Sequence, residues 1–118
     1  MHIKHLLGAV LLAACTSAAL AHAVVRQSSP AQGAVLNASP KEISITFNEK
    51  VEKLFTSATL KDAAGVKVSV AKAKIDVADP STLRLAVPVL KPGKYVVSWT
   101  AVGHDGHRLT GTIGFSVN

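Results

Sequence analysis

The sequence predicts an all-β protein, an antiparallel sandwich of about seven short strands. Apolar residues recur with period two, not with the ~3.6 of a helix, along nearly the whole chain. Turn-forming residues stand between these runs at short intervals, and no stretch carries a convincing helical pattern. No internal repeat or low-complexity segment breaks the series.

Residues 1–21 stand apart. Met1–His5 carries Lys4 as its only formal charge, Leu6–Ala14 is apolar apart from Gly8, and small residues lead to Ala19-Leu20-Ala21. A short basic start, an apolar middle and an Ala-x-Ala exit are the layout of a cleaved secretory signal. The apolar run falls well short of the ~18 residues that a membrane span needs. Cleavage after Ala21 would leave residues 22–118, room for one small domain that begins at His22. Leu12-Ala13-Ala14-Cys15 also fits a lipoprotein cleavage box, which would leave Cys15 lipidated and His22 internal.

Beyond the leader the strands follow in order. Ile43, Ile45 and Phe47 alternate with Ser44 and Thr46, as a half-buried strand does. Val66, Val68 and Val70 alternate with Lys67 and Ser69, and Leu83, Leu85 and Val87 with Arg84 and Ala86. Tyr95, Val97 and Trp99 face away from Val96, Ser98 and Thr100, and Ile113, Phe115 and Val117 close the chain in the same manner. Ser29-Pro30, Ser39-Pro40, Asp62-Ala63-Ala64-Gly65, Asp79-Pro80 and Lys91-Pro92-Gly93 supply the turns between them. Tyr95 follows the last of these, where a tyrosine hydroxyl bonds back to the backbone at a sandwich corner. Trp99 is the natural core plug, and Phe47 and Phe115 join it.

Composition narrows the function. The formal net charge is +6, one less without Lys4. An exported protein meets little nucleic acid, and the lysines are scattered from Lys41 to Lys94 with no basic run and no interleaved aromatics. Nucleic-acid binding is therefore set aside, and an unspecific attraction to anionic lipid surfaces fits the charge better. Cys15 and Met1 are the single cysteine and methionine, both in the leader. The domain thus has no disulfide, although export would permit one, and rests on core burial. It also offers a metal no sulfur ligand.

Chemistry concentrates in Gly103-His104-Asp105-Gly106-His107, between the last two strands. Asp-Gly is a strong hairpin signal. Two histidines beside an aspartate can be a solvated hairpin tip and nothing more. The third histidine beyond the leader is His22. As a new N-terminus it would offer a metal both its α-amine and its imidazole. With Asp105 and His107 that makes three nitrogens and one oxygen, a set suited to Cu(II), with Ni(II) second and Zn(II) not excluded by ligand type.

Other motifs accompany this segment. Ser28-Ser29-Pro30-Ala31-Gln32-Gly33 reads S-x-P-x-x-G, Phe47-Asn48-Glu49 reads F-x-E, and Gly93-Lys94-Tyr95 with Trp99 reads G-x-Y-x-x-x-W. Asp105-Gly106-His107 with Thr110-Gly111 completes the series as D-x-H followed by x-G. In this order, and with His22 directly after the signal, the chain resembles the CopC family of periplasmic copper-binding proteins over essentially all of residues 22–118. The resemblance implies a monomeric, seven-stranded, immunoglobulin-like Greek-key β-sandwich that binds one Cu(II) per chain. It implies His22, Asp105 and His107 as the ligands, with the Glu49 carboxylate placed beside them. Some relatives add a methionine-rich loop for Cu(I), and this chain has no methionine for one. His104 stands where many relatives have a small residue: an outer hydrogen-bond partner of the site, a transient loading ligand, or a solvent-facing side chain. Arg108 stands where relatives often have proline, beside a cation site, and would fit there by pairing with Glu49 or Glu52.

Three functions compete. The leading one is a non-enzymatic periplasmic Cu(II) carrier for copper tolerance or homeostasis, delivering to an inner-membrane importer of the CopD type that the resemblance implies. A copper monooxygenase acting on polysaccharide also begins with a chelating histidine on a β-sandwich. It needs a flat, often aromatic substrate face, and the aromatics here fall mostly on core positions. The third is an adhesive sandwich whose histidines are incidental. No nucleophile stands beside Asp105 and His107, so hydrolase chemistry is set aside.

Overall fold

Alternation becomes strand where both neighbouring backbones continue the ladder, and it fails where one turns away. The computed structural model describes residues 24–118. The expected signal over 1–21, Cys15 within it, and His22 lie outside the described residues. Eight strands form: β1 (Val25–Ser29), β2 (Ala34–Leu36), β3 (Glu42–Phe47), β4 (Ser57–Asp62), β5 (Lys74–Ile75), β6 (Thr82–Ala86), β7 (Gly93–Val102) and β8 (Arg108–Val117). One sheet has the order β1-β3-β6-β5 and the other β2-β8-β7-β4. Only β5–β6 and β7–β8 are sequential neighbours within a sheet, so every other connection crosses between sheets, as a Greek-key sandwich requires.

The expectation of seven strands, all antiparallel, is corrected in two details. The chain gains the two-residue β5, and the three-residue β2 lies parallel to β8, Ala34 opposite Phe115 and Leu36 opposite Val117. Gln32 anchors that addition, its Oε1 accepting the Gly114 N–H at 2.8 Å, while Gly33 N–H donates to Gly114 O at 2.7 Å. The Val66–Val70 alternation makes no strand. After an isolated bridge between Lys61 and Lys67, the N–H groups of Val68 and Ser69 converge on the one carbonyl of Leu60. The Ser69 hydroxyl accepts the Leu60 N–H at 3.1 Å. That convergence ends the ladder, buries Ser69, and leaves Val66 and Val70 on the surface.

The inward faces are those the alternation marks. Ile43, Ile45 and Phe47 of β3, Leu83 and Leu85 of β6, Tyr95, Val97 and Trp99 of β7, and Ile113, Phe115 and Val117 of β8 are all buried. Trp99 meets Phe47 edge to face, ring centroids 5.2 Å apart, across the two sheets. Its indole lies over Gly111, its partner in β8. A Cβ there would sit 2.9 Å from Nε1 and closer still to two ring carbons, so the glycine of the x-G motif is the space that Trp99 fills. Tyr95 donates its hydroxyl proton to the Lys91 carbonyl at 2.6 Å, the expected corner bond.

Candidate metal centre

The site is built at one end of the sandwich, where β7 turns into β8. The two strands stay in register up to Val102 opposite Arg108, and Gly103–His107 closes the hairpin. Gly106 takes φ +82°, a left-handed conformation that glycine adopts without a Cβ penalty. Its N–H donates to Gly103 O at 3.0 Å, and Gly103 N–H donates to His107 O at 3.1 Å. The Asp-Gly turn thereby places Asp105 and His107 side by side.

Asp105 then fixes His107 twice. Its Oδ1 accepts the His107 backbone N–H at 3.0 Å, and its Oδ2 lies 2.8 Å from His107 Nδ1. The His107 side chain is 63% exposed and that of Asp105 31%, so the pair stands at the surface. Two ligand atoms at right angles around a first-row metal, each ~2.0 Å away, are separated by ~2.8 Å. In this structure the 2.8 Å Nδ1–Oδ2 contact is a hydrogen bond, and an ion held by both atoms at such a spacing would take the place of the shared proton.

Glu49 arrives from the other sheet. β3 ends at Phe47, and Asn48 clamps the start of the described chain: its Oδ1 accepts the Val24 N–H at 2.8 Å and its N–H donates to Val24 O at 3.0 Å. Beyond Glu49, Val51 bridges Gly103 and Glu52 N–H donates to Val102 O at 2.8 Å. This zipper lays the Glu49 carboxylate across the hairpin, where Oε1 accepts the His104 N–H at 3.2 Å. A Cβ on Gly103 would collide with that carboxylate and stand 3.2 Å from Asp105 Oδ1. Two carboxylates thus approach one bare glycine, a concentration of negative charge that favours a cation.

The sequence-expected residues separate on this frame. Glu49, Asp105 and His107 are brought to one end of the molecule. His104 contributes its backbone N–H to Glu49, and the residue is otherwise exposed. Arg108 is exposed and makes no ion pair with Glu49 or Glu52 among the described residues, so the pairing that would have suited it to a cation site is not formed. No three His, Cys, Asp or Glu side chains gather among the described residues, and His22 lies outside them. Gly103 and Asn48 were not legible as site residues. Gly103 matters for the space it leaves to a side chain from another sheet, and Asn48 for a clamp on distant backbone.

Fold and hairpin together define a class: a small β-sandwich with an acid–imidazole pair at one end, suited to holding a borderline divalent cation. Residues 25–118 match the model of the CopC domain, and the chain belongs to the CopC family. It is 32% identical to "Protein YobA" of Escherichia coli strain K12 over 98% of this chain and 94% of that one. It is 34% identical to "Copper resistance protein C" of Pseudomonas syringae pv. tomato over 84% of this chain and 82% of the other. A match of 32% identity to the "Copper transport protein CutJ" of Bacillus subtilis covers 82% of this chain but only 18% of that longer protein. Among solved structures, CopC from Methylosinus trichosporium OB3b superposes with a TM-score of 0.77 at 33% identity, covering 82% of this chain and 94% of the other.

Proposed function

We propose that the chain is a periplasmic carrier that binds one Cu(II) through Asp105, His107 and the amine and imidazole of His22, exposed by cleavage after Ala21. The pairing of Asp105 with His107 at the tip of the β7–β8 hairpin, with the Glu49 carboxylate laid beside it, is the observation that carries this reading. Two supports come with it. Val24 follows His22 by two residues in the sequence. Val24 is in turn clamped to Asn48, the neighbour of Glu49. Relatives are named for copper resistance and copper transport, and in CutJ the matching region is a fraction of a longer transport protein. That arrangement favours delivery of the ion to an inner-membrane importer, the copper being cargo.

The residues fit Cu(II) in donor type, nitrogen and oxygen without sulfur, and the absence of methionine beyond Met1 argues against a tight Cu(I) site. Glu49 would hold the hairpin and its charge in place rather than bind the ion. A carrier is favoured over a polysaccharide monooxygenase because Phe47, Tyr95, Trp99 and Phe115 are all buried, leaving Phe55 as the one exposed aromatic.

The N-terminus decides the matter. Placing Gly-Ser before His22 keeps every side chain and converts the α-amine to an amide. Cu(II) affinity, measured by competition with a chelator on the protein purified after export, should fall as far as in His107→Ala. Undiminished affinity would remove His22 from the site, and an intact mass beginning at a lipidated Cys15 would do the same.

A further inference from the structure

The lysines are scattered in sequence, but the fold gathers four of them. Between the edge of β4 and the edge of β5, where the chain crosses from one sheet to the other, lies a groove of about 530 Å³. Lys53, Lys67, Lys72 and Lys74 line it over a floor that includes Ala58 and Ile75, and no carboxylate lines it. None of the four makes an ion pair among the described residues. Of the nearby acids, Asp62 Oδ1 accepts the N–H groups of Ala64 and Val66, Asp76 binds Arg84 at 2.6 Å, and Glu52 lines a separate pocket with His104 and Arg108.

Leu54 lines the groove itself, and Val70 and Phe55 adjoin its lining residues Ala71 and Leu54 in the chain. Phe55 N–H donates to Glu52 O at 3.2 Å, a tight turn that lifts Lys53 and Leu54 to its tip. Leu54 is 87% exposed, Val70 87%, and Phe55 64%. Unpaired ammonium groups with bare aliphatic tips are the composition of an interfacial contact: the ammonium groups meet lipid phosphates and the apolar tips enter the headgroup layer. An acidic protein segment would use the same lysines but gains nothing from Leu54 and Val70 standing in water.

We propose that this groove docks the protein on an anionic lipid surface, with Lys53, Lys67, Lys72 and Lys74 facing phosphate headgroups and Leu54 and Val70 inserted between them. The tip that carries Leu54 directly follows Val51 and Glu52, which pair with Gly103 and Val102. Docking would therefore hold the Glu49–Asp105–His107 end near the membrane. The inference stands apart from copper binding, and its test uses no metal.

The protein purified after export is co-sedimented with phosphatidylglycerol–phosphatidylcholine vesicles and with phosphatidylcholine vesicles, at ~0.05 M and ~0.5 M salt. Binding is expected to the anionic vesicles alone and to be lost at high salt. A lysine near an anionic surface contributes about fivefold to binding, so K53Q/K67Q/K72Q/K74Q should lose more than tenfold. R26Q/K41Q/K91Q/K94Q, with the same loss of charge outside the groove, should lose far less. Leu54→Ser with Val70→Ser, both exposed and safe for folding, should weaken vesicle binding several-fold without changing capture on polyglutamate resin. Equal losses in the two charge variants would reduce the effect to net charge and overturn the proposal. Capture on polyglutamate without vesicle binding would overturn it in favour of an acidic protein partner.

Discussion

Two exposed acidic clusters sit on two hairpins of this sandwich, and they use the same residue type for opposite ends. On the β5–β6 hairpin every carboxylate is consumed locally. Asp76 accepts Arg84 Nε–H at 2.6 Å and the Ala78 N–H at 2.8 Å, and Arg84 reaches on to Glu42 at 2.7 Å. Asp79 accepts the Ser81 hydroxyl at 2.5 Å and the Thr82 hydroxyl at 2.8 Å. The hydrogen bond from Arg84 holds the Asp76 carboxyl below its ordinary range, and the Ser81 and Thr82 hydroxyls do the same for Asp79. On the β7–β8 hairpin the partner of Asp105 is an imidazole, and Glu49 meets only a backbone N–H among the contacts it makes with described residues. Guanidinium is a permanent cation and closes a cluster. Imidazole gives up its proton near neutrality and then presents a lone pair to a metal. One cluster shapes a loop; the other is the one proposed to take a cation.

The contrast breaks first at His107. His107→Ala or Asp105→Ala should lower Cu(II) affinity by more than ~100-fold, beyond the class of merely orienting residues. The circular dichroism spectrum should not change, because both side chains lie on a surface loop. Gly103→Ala tests the same end by crowding: its methyl displaces the Glu49 carboxylate, and both affinity and melting temperature should fall. Glu49→Ala should cost ~10–100-fold in affinity with the sandwich intact.

Acid should separate the two clusters in order. Protons compete with copper for the amine and imidazole nitrogens, whose reference values are ~8 and ~6.5, so affinity should fall first, as pH drops through neutrality. The stability that Asp76 and Asp79 contribute is present above the unfolded carboxyl value, ~3.9, because their folded values are depressed, and it is lost only as pH falls below it. A pH titration followed by the Cu(II) absorption and by far-ultraviolet circular dichroism should show copper leaving well before the fold. Asp79→Ala should lower the melting temperature slightly and leave copper affinity unchanged. The smallest effect is expected at His104→Ala, which keeps the backbone N–H that Glu49 uses and should bind copper as the parent does.

Sequence by itself determined what is local. Period-two alternation marked the buried faces of β3, β6, β7 and β8, because a strand's two faces are written into every second residue. The corner bond of Tyr95 and the turn that joins Asp105 to His107 were legible for the same reason: their partners lie within a few residues. Tertiary structure decided what depends on chain crossings between sheets. It denied Val66–Val70 a strand by converging two N–H groups on Leu60, added β2 in parallel to β8, and laid Glu49 over Gly103. It also gathered Lys53, Lys67, Lys72 and Lys74 around one groove. None of these follows from periodicity, because each depends on which backbone a segment meets after it changes sheet. The alternating pattern says which way a side chain points, and only the folded arrangement says what it finds there.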